Sequence, residues 1–256
     1  MNKNINTASL PEIEIKDLYF SYEKDYDVLK GISLKIKAGE CFGILGPSGA
    51  GKSTLLLHLN GILRGRGEVC IRGMALNKKN LPEVRQKVGL VFQNPDDQLF
   101  NPTVEEDVAF GPANLGLNQD DVRKRVRDAL SVLGLSGFEK KTSHHLSYGE
   151  RKRVALATVL SMEPDIIAFD EPFSNLNPAM VHQLIETIKE LKATVILVSQ
   201  AILPTLSCCH RLAIMNAGEI LAVGPTQEIA KDQDLLRKCG LDYRLYCDIC
   251  RRLKLI

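Results

Sequence analysis

The sequence predicts an α/β fold with a mostly parallel sheet, an N-terminal antiparallel β subdomain and an inserted helical subdomain. Short apolar runs recur along the chain, which is typical of parallel strands that helices cover on both faces. Between two of these runs lies a long segment whose apolar residues are spaced by three and four, the period of a helix. The 256 residues suffice for one generous domain or two small ones with a substantial core.

The first third of the chain predicts strands with one exposed face. In residues 12–20, 31–37 and 68–72, apolar and polar residues alternate between glycines, as in half-buried antiparallel strands. Other runs are apolar throughout and therefore predict strands buried in a parallel sheet. These runs are residues 41–45, 88–92, 166–170 and 194–198.

The segment between the second and third of these runs predicts helices. Within residues 121–135, five apolar residues fall on one helical face, and residues 151–160 continue as a second helix. The five are Val122, Val126, Ala129, Leu130 and Leu133. We therefore divide the chain into a single domain of residues 1–230 and a mixed helical tail of residues 231–256. Within the domain, residues 1–93 and 161–230 form the α/β core, and residues 94–160 form the helical subdomain.

Composition limits the possible partners. The chain has 33 Lys and Arg residues against 31 Asp and Glu, a formal net charge of +2, which gives no reason to expect a nucleic acid partner. The first residues contain no apolar core of signal-peptide length, and no stretch approaches the roughly 20 apolar residues of a membrane helix. We expect a soluble protein that acts at a membrane only through a partner.

The seven cysteines are an odd number spread through a large domain, which favours reduced cytosolic thiols over a disulfide framework. Cys247 and Cys250 have the spacing of a metal clip, and Cys208-Cys209-His210 is a second candidate. A single C-x-x-C without a second pair is a weak signal, so we favour the interpretation without a metal.

The segment GPSGAGKST follows the apolar run at 41–45 and fits the pattern G-x-x-x-x-G-K-[ST]. Its backbone amides curl around a phosphate at a helix start, where unpaired N–H groups and the helix dipole favour an anion. Lys52 can reach the β and γ phosphates, and the Ser53 hydroxyl can ligate Mg²⁺. A chance glycine-rich turn is disfavoured, because a strand precedes the segment and an apolar helix follows it. The predicted core is thus that of a P-loop nucleotide hydrolase. Its ATP-binding residues are Gly46, Pro47, Ser48, Gly49, Ala50, Gly51, Lys52, Ser53 and Thr54.

The segment DIIAFDEP supplies carboxylates for the same site. Asp170 ends a buried strand, so its carboxylate should point at the metal. Glu171 follows directly and is the candidate for polarising the attacking water. An Asp-Glu pair at a strand end is more often a helix-capping turn, but the phosphate loop favours the catalytic interpretation.

The segment HLSYGERKR, residues 145–153, predicts a further helix start. Ser147 and Glu150 have the spacing of a capping box. The same geometry makes Ser147 and the amide of Gly149 a second anion site, suited to a nucleotide held by another molecule.

These motifs, in this order, resemble those of the ATP-binding-cassette ATPases, and the resemblance covers about residues 13–223. GPSGAGKST, Gln93 after a strand, LSYGE, and IIAFDEP followed by SNLNP appear in the family's order and spacing. The stretch NPDDQLFNPTVEEDVAFGPANLGL, residues 94–117, is similar to the ATPase subunits of energy-coupling-factor importers, particularly the cobalt/nickel type. Tyr148 in LSYGE is a form found in that subgroup.

The resemblance implies further roles. Tyr22 would stack on adenine, although a strand aromatic in the core is the alternative. Gln93 would contact Mg²⁺ and the attacking water and would hinge the helical subdomain to the core, so that the metal contacts are Ser53, Gln93 and Asp170. Two subunits would pack head to tail, each nucleotide lying between one phosphate loop and the other chain's Ser147 and Gly149.

The resemblance also implies a place of action. ATP would close the pair and hydrolysis would open it, which drives an integral membrane coupling subunit docked near residues 93–100. The chain would be peripheral to the cytoplasmic face of the membrane. Cobalt, nickel or a vitamin would be the cargo.

Two segments depart from the family pattern, at four positions. Ser199, Gln200 and Ala201 stand where the family has threonine, histidine and aspartate, and Asn177 replaces an aspartate in the loop after the glutamate. Gln200 can donate to a phosphate oxygen but cannot become a cation. Loss of one preorganised donor typically costs ~10²- to 10³-fold in rate. We therefore expect Glu171 and Gln200 to form a slow catalytic site. Two alternatives remain open: a regulatory nucleotide-binding module with little turnover, and a P-loop ATPase that does not serve transport.

Overall fold

The computed structural model describes residues 11–23, 26–241 and 243. Within them lie a four-stranded sheet of order β2-β1-β4-β5 and a six-stranded sheet of order β10-β9-β3-β8-β7-β6. The fold is α/β with a mostly parallel main sheet, an antiparallel β subdomain and inserted helices, as the sequence predicts.

The smaller sheet is antiparallel and contains the three predicted amino-terminal strands. Its strands are β1 (Ile13–Glu23), β2 (Tyr26–Ile36), β4 (Arg66–Ile71) and β5 (Met74–Ala75). The first two extend beyond the predicted bounds, because β1 and β2 pair as a hairpin as far as Glu23 and Tyr26. Polar residues near the end of that hairpin interrupt the alternation of apolar and polar residues from which strands were predicted.

The larger sheet is parallel except for its edge strand β10, which pairs antiparallel with β9. The four predicted apolar runs are β3 (Cys41–Leu45), β6 (Val88–Val91), β7 (Ile166–Asp170) and β8 (Thr194–Ser199). The sequence analysis did not assign β9 (Arg211–Asn216) and β10 (Glu219–Pro225). β3 lies between β8 and β9 and so occupies the interior of the sheet.

Helices cover both faces of this sheet. Successive residues of β7 point to opposite faces. Ile166 and Ala168 pack in a hydrophobic cluster with residues of α1 (Lys52–Leu59) and of the antiparallel sheet. Ile167 and Phe169 pack in a second cluster with residues of the inserted helices. The other helices of the core and the carboxyl-terminal segment are α2 (Leu81–Lys87), α6 (Pro178–Glu190), α7 (Ile202–Cys208), α8 (Thr226–Lys231) and α9 (Gln233–Lys238).

The inserted helices are α3 (Val104–Asn114), α4 (Gln119–Val132) and α5 (Tyr148–Leu160). A capping box at Thr103 and Glu106 begins α3, and the Asn118 side chain caps α4. Val126, Ala129 and Leu130 of α4 are buried, as their spacing predicts. The proposed boundaries at residues 94, 160 and 230 stay a prediction. Across the described ranges, we find no helix with both the length and the apolar character needed to cross a membrane.

Candidate nucleotide-hydrolysis site

The phosphate loop connects the interior strand β3 to α1. Gly46 follows the last residue of β3 and lies close to β9. A Cβ added at Gly46 would lie 2.2 Å from the carbonyl oxygen of Met215 in that strand. Gly51 has a φ of +98°, which favours glycine, and its carbonyl accepts the amide of Leu55 at 2.9 Å as α1 begins. The first amides of α1 have no partner inside the helix, so they can bind an anion.

Lys52 is buried at the centre of the loop. Its ammonium donates to the carbonyl oxygens of Gly46 at 2.8 Å and Pro47 at 3.0 Å. The same Nζ lies 3.3 Å from Oε1 of Glu171, which is also buried. The loop cation and the candidate base therefore neutralise each other at the carboxyl edge of the sheet.

Ser53 and Asp170 form the second contact between the loop and the strand edge. The Ser53 hydroxyl donates to Oδ1 of Asp170 at 2.9 Å. Burial is the main influence on Asp170 and raises the pKa of its carboxyl, which the Ser53 hydrogen bond partly opposes. A hydroxyl and a carboxylate are hard oxygen donors of the kind that Mg²⁺ binds, so this pair fits the metal that the sequence predicts.

The backbone and side chain of Glu171 are both held in place. The residue has a φ of +43°, an uncommon conformation for a side-chain-bearing residue, and its amide donates to the Val198 carbonyl at 2.9 Å. Its Oε2 accepts hydrogen bonds from the Ser199 hydroxyl at 3.0 Å and from the Gln200 amide at 3.1 Å. Ser199 is fully buried, so this contact is protected from water.

Gln200 and Asn177, two of the residues that depart from the family pattern, have different environments. The Gln200 side chain is exposed, and the recorded contact with Glu171 comes from its backbone. Asn177 caps α6, and its Oδ1 accepts the amide of Met180 at 2.9 Å. The amide side chain at position 177 therefore serves a cap that aspartate can also make.

Tyr22 and Gln93 lie at the border of the site. Tyr22 is 61% exposed, outside the core, and its hydroxyl lies 3.2 Å from that of Thr54 in α1. Gln93 follows β6 and is exposed. Its carbonyl accepts the Tyr148 hydroxyl at 3.3 Å, which joins the end of β6 to the start of α5.

The LSYGE segment forms the predicted capping box. The Glu150 carboxylate accepts the Ser147 amide at 2.8 Å, and the Ser147 hydroxyl accepts the Glu150 amide at 3.4 Å. Gly149 is buried against α6, where an added Cβ would meet the Met180 methyl at 1.7 Å. Ser147 and Gly149 lie at a helix start in the inserted subdomain, and the hydrogen bonds recorded for Ser147 stay within its own cap.

The sequence analysis missed Lys152, and it named Ser199 only as a departure from the family pattern, without giving it a role. Lys152 of α5 donates to the carbonyl oxygens of Glu171, Pro172 and Ser174 at 3.1, 2.9 and 3.0 Å. Its spacing of three and four from the buried Gly149 and Leu156 was an available signal, because that spacing predicts a side chain turned inward. Ser199 carried a weaker signal, as a polar residue at the end of an apolar strand.

Burial also makes the Lys152 ammonium easier to deprotonate. It lowers the pKa of the Lys152 ammonium to about 8, although the carboxylates of Glu171 and Asp170 oppose the shift. Through this side chain, the inserted subdomain holds the backbone that carries Glu171.

Comparison with known proteins identifies relatives of this chain. The family model described as ABC transporter matches residues 29–174. An energy-coupling factor transporter ATP-binding protein of Methanothermobacter thermautotrophicus is 46% identical over 95% of this chain and 80% of the relative. Its counterpart in Methanocaldococcus jannaschii is 48% identical over 90% of this chain and 84% of the relative.

Solved structures give the same assignment. The cbiO1 protein of Clostridium perfringens, part of the ABC transporter complex cbiONQ, has a TM-score of 0.81 and 34% identity over 95% of this chain and all of the other. The ATP-binding cassette MJ0796, a dimer in a post-hydrolysis state bound to ADP and Pi, has a TM-score of 0.75 and 28% identity over 84% of this chain and 98% of the other. The chain therefore belongs to the ABC transporter family, as an ATP-hydrolysing subunit of the energy-coupling-factor type.

Proposed function

We propose that two such chains, or this chain and a similar subunit, close around ATP and thereby drive an importer in the membrane. The observation that carries the proposal is the convergence of Lys52, Ser53, Asp170 and Glu171 at one edge of the sheet. The Lys52–Glu171 and Ser53–Asp170 contacts of 3.3 and 2.9 Å bring the loop cation, the metal donors and the candidate base within reach of one triphosphate.

Each residue has a role in this proposal. The loop amides and Lys52 bind the β and γ phosphates, while Tyr22 stacks on adenine. Ser53, Asp170 and Gln93 hold Mg²⁺, which when bound neutralises charge on the phosphate oxygens. Glu171 accepts hydrogen bonds at Oε2 and can orient a water through Oε1 once Lys52 turns to the γ-phosphate.

The second chain contributes Ser147 and Gly149. Their helix start favours an anion, and they belong to the inserted subdomain rather than to the edge that carries the phosphate loop. The structural similarity to a dimeric cassette bound to ADP and Pi supports a pair of chains, which we arrange head to tail. ATP that bridges the chains binds the closed pair best, so it shifts the population towards closure.

The membrane subunit has a candidate docking surface near Gln93. Phe100 and Phe110 pack edge to face with ring centroids 5.0 Å apart, yet they are 64% and 51% exposed. Exposed aromatic residues are enriched at protein interfaces. We assign this surface to an integral membrane coupling subunit, with the chain on the cytoplasmic face. The similarity of residues 94–117 to cobalt/nickel importers favours those cargoes, and a vitamin is the alternative.

The central test removes the loop cation. Lys52→Ala should abolish measurable ATP turnover and weaken nucleotide affinity by at least about 10²-fold, since a preorganised donor to the phosphates is lost. Affinity is measured by calorimetry and turnover by phosphate release. Lys78→Ala, at an exposed turn, is the matched control and should leave both unchanged. Unchanged affinity in Lys52→Ala would refute the proposed site.

A second candidate function is a regulatory module with little turnover, and the exposed side chain at Gln200 favours it. Under the slow-site proposal, Gln200→His raises steady-state turnover by about 10-fold or more, because an imidazole can hold the γ-phosphate and the water. The substitution leaves the buried hydrogen bond from Ser199 to Glu171 in place. A wild-type rate that Gln200→His does not increase would remove the slow-site proposal.

A further inference from the structure

Three cysteines form a cluster away from the nucleotide site. Cys41 is the first residue of β3, whereas the phosphate loop leaves the other end of that strand. Cys208 ends α7 and Cys209 follows it. All three are buried. The sequence analysis considered Cys208-Cys209-His210 as a metal site but gave no sign that Cys41 lies beside these residues.

The sulfur atoms are arranged as metal ligands would be. Sγ of Cys209 lies 3.6 Å from that of Cys41 and 4.0 Å from that of Cys208, and all three fall within 4.8 Å of one another. A planar three-coordinate site with metal–sulfur bonds of about 2.3 Å, the zinc–thiolate length, has sulfurs about 4 Å apart. The cluster is thus close to the size that one ion requires.

The surroundings hold the cysteines in this arrangement. The Cys41 amide donates to Nδ1 of His210 at 3.0 Å, and the His210 amide donates to the Cys41 carbonyl at 2.8 Å. The Cys209 amide donates to the Thr205 carbonyl at 3.0 Å, and its carbonyl accepts the Thr226 hydroxyl at 2.6 Å. The backbone of two of the three ligands is therefore fixed before any ion binds.

We propose that Cys41, Cys208 and Cys209 bind one Cu(I) ion. Thiolates are soft ligands and select Cu(I), Zn²⁺ or iron–sulfur clusters. Zn²⁺ in structural sites takes four ligands, but no histidine, aspartate or glutamate in the described ranges joins the sulfurs at this spacing. His210 is exposed, and its Nδ1 is already occupied by a backbone amide. Three sulfurs without a fourth donor suit a monovalent soft ion.

Binding has a defined chemical course and a structural consequence. Each thiol that becomes a ligand releases its proton to solvent, and the ion stays Cu(I) throughout. The bound ion links the first residue of β3 to the end of α7. These two segments lie close together only when the chain is folded. The ion therefore stabilises the folded state by mass action and raises the thermal midpoint.

The test uses full-length protein under anaerobic conditions, with Cu(I) supplied from a chromophoric Cu(I) chelator. Cys247 and Cys250, outside the described residues, are a rival pair with metal-clip spacing. All titrations are therefore done in the Cys247→Ser/Cys250→Ser background, where we expect one equivalent of Cu(I) per chain and a higher thermal midpoint. Failure of that background protein to take Cu(I) from the chelator would overturn the proposal.

Variants assign the ion to the cluster. Cys209→Ala and Cys208→Ala, made separately, should each weaken Cu(I) affinity by more than about tenfold and reduce the rise in thermal midpoint. Loss of a residue that only hydrogen-bonds to a metal ligand typically weakens metal affinity by about 10- to 100-fold, so loss of a ligand should cost at least as much. Cys70→Ser, at a partly exposed cysteine of β4, is the matched control and should bind as the background does. Equal affinity in the cluster variants and in Cys70→Ser would overturn the assignment.

A measurement on the background protein needs no substitution in the cluster. X-ray absorption at the copper edge should show three sulfur neighbours at one distance. Two sulfur neighbours, or nitrogen and oxygen neighbours, would overturn the proposal even if a cluster variant failed to fold. ATP affinity measured in parallel should be unchanged by Cu(I), because the ion lies at the opposite end of β3.

Discussion

The two regions proposed to bind phosphate are built in opposite ways. At the phosphate loop, residues from distant parts of the chain converge: Lys52 contacts Glu171, and Ser53 contacts Asp170. At LSYGE, Ser147 bonds within its own helix turn. The first region brings together most of the proposed catalytic residues, whereas the second offers a helix start and little else. The difference is what the proposed composite site requires, in which the second region completes a site on another chain.

Glu171→Gln is expected to have the largest effect of the changes that test this contrast. It keeps an oxygen acceptor for Ser199 and Gln200 but cannot take a proton, so turnover should fall by about 10²- to 10⁴-fold while ATP still binds. Phosphate release and calorimetry measure the two quantities. Glu190→Gln, on the exposed face of α6, is the control. A Glu171→Gln variant that hydrolyses at the wild-type rate would deny Glu171 the role of base.

Ser147→Ala should reduce turnover by about 10²-fold, with ATP affinity of the single chain unchanged. The reason is that, in the proposed pair, Ser147 serves the partner's nucleotide. Mixing this variant with Lys52→Ala forms dimers with one intact composite site, so activity should reappear on mixing. Loss of the cap costs about 1 kcal/mol, which urea unfolding measures separately. Two inactive variants that stay inactive when mixed would exclude a composite site between copies of this chain.

Lys152→Met tests the connection between the two regions. Turnover should fall by about tenfold or more, because the backbone that carries Glu171 loses three hydrogen bonds and small misplacements are costly. Lys152→Arg, which also stays charged, measures how much of the effect depends on the lysine geometry. Turnover in Lys152→Met equal to wild type would show that α5 does not position Glu171.

The same variant carries a pH signature. Burial lowers the pKa of Lys152 from its ordinary 10.5 to about 8 in the folded chain, so between these values the unfolded chain holds a proton that the folded chain has lost. The free energy of unfolding therefore rises with pH in this window. Urea unfolding at pH 8, 9 and 10 should show wild type gaining stability relative to Lys152→Met. A constant difference would contradict the buried ammonium.

Ser199→Ala should have the smallest effect, a loss of less than about tenfold in turnover. One hydrogen bond to Oε2 of Glu171 disappears, but the Gln200 amide retains the other. Ser207→Ala, whose exposed hydroxyl bonds the carbonyl of Leu203, is the control. A drop as large as that of Glu171→Gln would mean that Ser199 takes part in the chemistry itself.

Sequence reasoning located the loop and strand-end residues because their positions follow from local rules. A strand followed by GPSGAGKST places Lys52 and Ser53 at a sheet edge, and a buried strand ending in Asp170 places it at the same edge. The contacts of Lys152 with a loop some 20 residues away depend on how α5 packs, which no local pattern specifies. The Cys41–Cys209 contact likewise depends on strand order.

The position of β3 decides which part of the molecule can move. This strand is hydrogen-bonded on one side to β8 and on the other to β9, and the Gly46 amide donates to the Ser199 carbonyl at 3.3 Å. A loop anchored in the interior of a sheet cannot shift without breaking that sheet. Under the proposed closure, the displacement that ATP produces is therefore expected in the inserted helices, which are attached to the sheet through side-chain packing and the Lys152 hydrogen bonds instead of a strand ladder.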